Sequence, residues 1–202
     1  MQLSLVGLFL LKAIAAFVAG LLVWFQLGDW LTLPIGLLAK AAVTMLFPAW
    51  AEGVEQSGAL LTLLTSIEVS GVAGVPQGQI ALLSPEVGSL KYSYGLPLLI
   101  ALLLASDAQR KWQKMAIGAL ALLPFQVWGV SFDWLKQVAL EAGAGGFSPV
   151  AREAIAFAYQ FGYLVLPTLL PVLLWALMDR RFLTTFVVEA TLAGNRKAPS
   201  QM

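Results

Sequence analysis

The 202 residues include no cysteine and no histidine, so serine, lysine, tyrosine and the carboxylates are what remain for chemistry. Thiol nucleophiles, disulfides, imidazole bases and the usual ligands of zinc, copper and haem are thereby removed, and neither a metal nor a cofactor is expected. One nucleophilic pairing survives without histidine, a serine activated by a lysine. Lys91 and Lys136 have Ser89, Ser93 and Ser131 as neighbours in sequence, which is weak ground for a dyad. A pair of intramembrane aspartates fails as well, because Asp29, Asp107, Asp133 and Asp179 fall at the ends of apolar runs. The chain reads as a non-enzyme.

A second kind of site is recognition by uncharged polar groups. Ser93 and Tyr94 open one apolar run, Gln126 lies in the outer half of the next, and Gln160 and Tyr163 open the last. Polar groups in hydrocarbon turn toward other helices. The candidate interaction cluster is Tyr92, Tyr94, Gln126, Arg152, Tyr159, Gln160 and Tyr163. The plainer reading is that these groups only hydrogen-bond between helices, at about 0.6–2 kcal/mol each.

The elements holding those residues must cross a membrane. Hydrophobic residues make up 59% of the chain and charged ones 11%, with a mean hydropathy of +0.83, whereas a soluble domain carries about 25% charged residues. A net charge of +1 gives no basic surface for nucleic acid. We expect an α-helical integral membrane protein with four spans, near residues 3–25, 92–106, 115–132 and 161–178. The first is read as a membrane helix and not a cleaved signal peptide, because no positive charge precedes it and no small-residue cleavage pattern follows Trp24.

Residues 107–114 and the tail 179–202 hold Arg110, Lys111, Lys114, Arg180, Arg181, Arg196 and Lys197, seven of the twelve basic residues. That side is expected to be cytoplasmic. Both termini are then inside, with 28–91 and 133–160 outside, in a bacterial inner membrane. Trp24, Trp30, Trp134 and Tyr92 near the outer ends of the spans, and Trp112 and Trp175 near the inner ends, are read as headgroup anchors.

Between spans one and two, Trp30 to Phe47 is read as an extracytoplasmic helix on the membrane surface. The alternative, a fifth span, would put Met1 outside and leave Lys12 poorly placed. Leu61, Leu63, Ile67 and Val69 alternate with Thr62, Ser66, Glu68 and Ser70, the period of a strand with one buried face. A turn-rich stretch from Gly71 to Gly78 and a short apolar run from Gln79 to Leu83 complete a β-hairpin. In the second outer segment, glycines 143, 145 and 146 form a turn, and Ser148-Pro149 caps a helix that carries Arg152 and Glu153 toward the last span.

Three stretches, Lys91-Tyr-Ser-Tyr-Gly-Leu-Pro-Leu-Leu-Ile-Ala-Leu-Leu-Leu-Ala105, Leu123-Pro-Phe-Gln-Val-Trp-Gly-Val-Ser-Phe-Asp133 and Tyr159-Gln-Phe-Gly-Tyr-Leu-Val-Leu-Pro167, resemble the exosortase H-associated membrane proteins. The resemblance implies an accessory membrane protein that works beside an exosortase, a transpeptidase-like membrane enzyme, and positions the enzyme or its substrates with C-terminal sorting helices. Exosortases use a Cys, Arg and His set, which this chain lacks, so the resemblance makes it the companion. Its expected partners are the exosortase, its sorting-signal substrates and the lipid bilayer. Two other classes stay open: a small transporter or channel subunit, and an unrecognised intramembrane hydrolase. Against the first, prolines 97, 124, 167 and 171 kink the spans, but no internal repeat or intramembrane charge pair accompanies them.

Overall fold

The computed structural model describes residues 5–70, 80–141 and 147–180, together with 182, 184, 185, 187 and 188. The expected turns at 71–78 and 143–146, and the basic residues Arg181, Arg196 and Lys197, lie outside the described residues.

The apolar run at the start of the chain forms α1, Leu5–Gln26. A break at Leu27 leads straight into α2, Gly28–Leu46. Strands β1 (Ala51–Ser57), β2 (Leu60–Thr65), β3 (Glu68–Ser70), β4 (Ile80–Leu82) and β5 (Glu86–Gly88) follow. A short α3, Leu90–Ser93, precedes α4, Gly95–Ala105. Then come the long α5, Lys111–Glu141, and α6, Pro149–Gln160. One π-helical turn over Phe161–Val165 joins α6 to α7, Leu166–Met178.

Helix α4 is the hub: α1, α5 and α7 pack around it. It is apolar on every side, and Leu99, Ala101 and Leu103 are fully enclosed, as such a helix requires. It runs antiparallel to α1. Phe9 joins the cluster that holds Leu103 and Ala105, Lys12 pairs with Asp107, and Trp24 donates to Ser93 Oγ. Helix α5 buries Met115, Gly118, Leu122, Gln126, Gly129, Val130 and Asp133, a stripe at helical spacing. Its 31 residues reach about 46 Å at 1.5 Å per residue, more than a bilayer core of about 30 Å requires. The excess is helical because Trp134, Leu135, Val138 and Ala139 are buried at the sheet end of the bundle. Residues 133–141 are therefore helix where a loop is expected.

The segment between α2 and α3 contains two small antiparallel sheets, ordered β1-β2-β5 and β3-β4. The alternation in β2 works as expected: Leu61, Leu63 and Thr65 are buried on one face. The hairpin expected across 71–78 is the β3–β4 pair, with Val69 opposite Ala81. A further hairpin, β1–β2, is not foreseen. It turns at Gly58, whose φ of +61° suits glycine. Its first strand, Ala-Glu-Gly-Val-Glu-Gln-Ser, has little β propensity of its own and is held by its ladder to β2.

By length and apolarity, Val6–Gln26, Gly28–Leu46, Lys111–Glu141 and Pro149–Met178 are able to cross a membrane, whereas Leu90–Ala105 is shorter. The expected second span is thus the short helix, and α2 has the length of a span. Its position is nonetheless at one end of the bundle. Gly28 abuts Leu90 and Thr32 shares a hydrogen bond with Ser89 at one end of α2, while Phe47 at the other packs on Trp50 and Phe147. Between them Ile35, Ala39 and Val43 form the floor under Leu61, Leu63 and Val87. Both ends of α2 lie with the sheet.

The anchor reading of the aromatics needs correction. Trp134, Trp175 and Tyr92 are 0%, 6% and 2% exposed, so they are core residues with bonded polar tips. Trp134 Nε1 donates to the Leu61 carbonyl at 3.2 Å and Trp175 Nε1 to Ser106 Oγ at 3.2 Å. Trp30 and Trp112 are largely exposed.

Candidate functional site

The polar centre of the molecule is Asp133, on α5 where the bundle meets the sheet. Its side chain is 1% exposed, and a carboxylate so placed must be paired and hydrogen-bonded. Lys91 Nζ lies 2.5 Å from Oδ2, Lys136 Nζ lies 3.0 Å from Oδ1, and the Tyr92 hydroxyl donates to Oδ2 at 2.9 Å. Gln137 Nε2 reaches Oδ1 at 3.5 Å and also donates to the Glu86 carbonyl of β5 at 3.0 Å. Helices α3 and α5 and the sheet are tied together through this one carboxylate.

Aromatic contacts close the arrangement into a ring. Lys136 Nζ stands 3.9 Å from the centroid of the Tyr159 ring, Tyr159 stacks on Tyr163 at 5.9 Å, and Tyr163 meets Tyr92 edge-on at 6.2 Å. Tyr92 then returns to Asp133. Two local features make this approach feasible. Gly129 of α5 lies directly against the Tyr92 ring, where any side chain would collide, and Gly162 in the π-helical turn packs on Trp128 and Gly129. The π-helical turn itself carries Tyr163.

Of the seven expected residues, Tyr92, Tyr159 and Tyr163 come together. Gln126, 7% exposed, shares with Tyr92, Gly95 and Pro167 a void of about 10 Å³, barely the room of one water. Tyr94 is half-buried beside them. Arg152 and Gln160 are exposed, and among the described residues no hydrogen bond or ion pair joins them to the ring. Sequence reasoning missed Asp133 as the centre and considered Lys91 and Lys136 only as partners of a serine. The available signal was the i,i+3 spacing of Asp133 and Lys136.

The serine–lysine idea finds no support in the geometry. Both lysines are engaged by Asp133, Ser93 Oγ accepts from Trp24 Nε1 at 3.1 Å, and Ser89 is bonded to Thr32. Ser131 Oγ is buried without a partner among the described residues.

A second buried carboxylate, Asp179, follows α7 at the opposite end of the bundle. Ser106 donates to its Oδ2 at 2.6 Å and Lys114 Nζ lies 3.5 Å from Oδ1. The Trp175 indole, stacked on Phe9 at 5.5 Å, donates to the same serine.

No curated protein and no solved structure matches the chain. The family model of the exosortase H-associated membrane proteins matches residues 3–182, nearly the whole length and every element of the bundle and sheets, and the chain belongs to that family.

Proposed function

We propose that the chain is a non-catalytic companion of an exosortase, docking beside it in the bacterial inner membrane and positioning the enzyme or the sorting helix of its substrate. Family membership across residues 3–182 is the observation that carries this reading, and a sequence without cysteine or histidine lacks two members of the exosortase catalytic set. Both termini are cytoplasmic in this proposal, and the sheets stand outside. Two surfaces support a lateral role. Helix α1 leaves Leu11, Ile14, Val18 and Leu22 exposed along its length, a side that in a membrane meets only lipid or another helix. At the other end, the ring around Asp133 holds the β1-β2-β5 sheet to the bundle, so that any partner of the sheet is held in register with the membrane helices.

The polar cluster divides on this reading. Tyr92, Tyr159 and Tyr163 in the ring and the buried Gln126 serve the scaffold, whereas Arg152 and Gln160 are exposed and available to a partner.

The test is affinity purification of the tagged chain from its native membrane in mild detergent, with co-purifying proteins identified by mass spectrometry. An exosortase is expected, in reduced yield from the variant R152Q/Q160L. Recovery of the chain alone, from a preparation that preserves other membrane complexes, would refute the companion reading. Single cysteines at the exposed Ser57 and Gln113, in a chain with no cysteine background, should label from opposite sides of the membrane.

A further inference from the structure

At the end of the bundle opposite the sheet there is a cavity of about 520 Å³ that the companion reading does not use. Its charged and hydroxyl lining comes from the turn between α4 and α5, the first turn of α5 and the residues that follow α7: Ser106, Asp107, Arg110, Lys114, Asp179 and Arg180. Both acids already have a lysine, since Asp107 takes Lys12 at 3.2 Å and Asp179 takes Lys114 at 3.5 Å. Arg110 and Arg180 are exposed, and neither forms an ion pair among the described residues. Among the described residues the cavity is left with two guanidinium charges in surplus.

The backbone gives a second, independent sign. Asp107 and Arg110 have φ of +48° and +53°, a left-handed conformation that aspartate visits readily and arginine seldom. The turn that sets Arg110 against the cavity keeps two such residues. Strain of this kind gathers at ligand clamps and functional turns. The remaining wall is apolar, formed by Ile117, Met178 and Phe182, and Trp112, 74% exposed, stands on the adjoining first turn of α5.

We infer that this cavity binds an anionic phosphate ester, one whose charge no cation of its own neutralises, Arg110 and Arg180 gripping its oxygens while the apolar wall receives the attached chain. Guanidinium forks match phosphate oxygens two at a time. Basic pockets between membrane helices are where anionic headgroups settle. An anionic phospholipid offers both the phosphate and the chain; free phosphate offers only the first. The inference is independent of the exosortase reading.

The full chain, reconstituted in phosphatidylcholine nanodiscs, is titrated with pyrene-labelled phosphatidylglycerol, binding being read as energy transfer from tryptophan. Saturable binding is expected. The variant R110Q/R180Q should weaken it by at least about tenfold, from two lost charge-assisted contacts, and K111Q, on the same turn but outside the lining, by less than about twofold. Circular dichroism checks that each variant is folded. Displacement of the lipid by millimolar inorganic phosphate would support the phosphate site with free phosphate as a competent ligand, and resistance to it would support the lipid as the ligand. Non-saturable binding, equal weakening by K111Q, or equal affinity for labelled phosphatidylcholine would overturn the inference.

Discussion

Asp133 and Asp179 are two buried carboxylates at opposite ends of one helical bundle, and they are satisfied in opposite ways. Asp133 has two ammonium groups and a phenol within 3.0 Å, and the void beside its partner Tyr92 is about 10 Å³. Asp179 has one serine at 2.6 Å and one lysine at 3.5 Å, and it borders a cavity of about 520 Å³. A carboxylate with all its lone pairs engaged and no space beside it fixes the elements that meet there. One whose cation is loosely held at the edge of an open, positively charged cavity leaves room for a ligand. The sheet end is thus the rigid end of the molecule, and the α4–α5 turn is the end built to bind.

The most direct way to break this contrast is to remove each carboxylate and compare. Asp133→Ala leaves two partly buried ammonium groups and a buried phenol without their acceptor, and should cost about 3–5 kcal/mol, measured by denaturant unfolding of the detergent-solubilised chain. A loss below about 1 kcal/mol would mean that the ring does not lock the sheet to the bundle. Asp179→Ala should cost less, about 1–2 kcal/mol, because Trp175 still donates to Ser106 and Lys114, 22% exposed, is free to turn into the cavity. It should also tighten phosphatidylglycerol binding, since it removes a negative charge from the lining. If Asp179→Ala destabilised the chain more than Asp133→Ala, the assignment of rigid and binding ends would be reversed.

The two ends also differ in how much of them was legible in the sequence. Hydropathy alone located α1 and the apolar parts of α5 and α7, because a membrane span needs only an unbroken apolar run, and the Leu/Thr alternation located β2. Strand β1 was not legible, since Glu52 and Glu55 are exposed, Gln56 is tied to the Asp29 and Gly58 carbonyls, and only pairing with β2 makes the segment extended. The helix over 30–47 was legible as one apolar run long enough to raise a fifth span, and α2 continues through Pro34 and Gly36 by packing under Leu61. The centre of the ring was hidden for a different reason. Asp133 draws Tyr92 from 41 positions earlier, with that tyrosine's neighbour Lys91, and its one local partner, Lys136 at i+3, signals an ion pair but not burial. The tyrosines were legible as a cluster because each opens or precedes an apolar run at a common depth. Their closure into a ring depended on Gly129 and on the π-helical turn, and neither has a sequence signature.

The smallest effect falls on the third acid that α1 and the α4–α5 turn bring into an ion pair. Lys12 and Asp107 meet at 3.2 Å, but their side chains are 46% and 75% exposed, and pairs of this kind contribute about 0–1 kcal/mol. Asp107 holds a left-handed φ of +48°, which asparagine tolerates as well. Asp107→Asn should therefore change unfolding stability by less than about 0.5 kcal/mol, in the same detergent assay. Its electrostatic effect should be the larger one. Lys12 would lose its acid and add a third unmatched cation near Arg110 and Arg180, so phosphatidylglycerol binding should strengthen while stability holds. A stability loss of more than about 1 kcal/mol would instead make the turn a second structural lock. In that case the strain at Asp107 and Arg110 would be part of the scaffold and no longer a sign of binding.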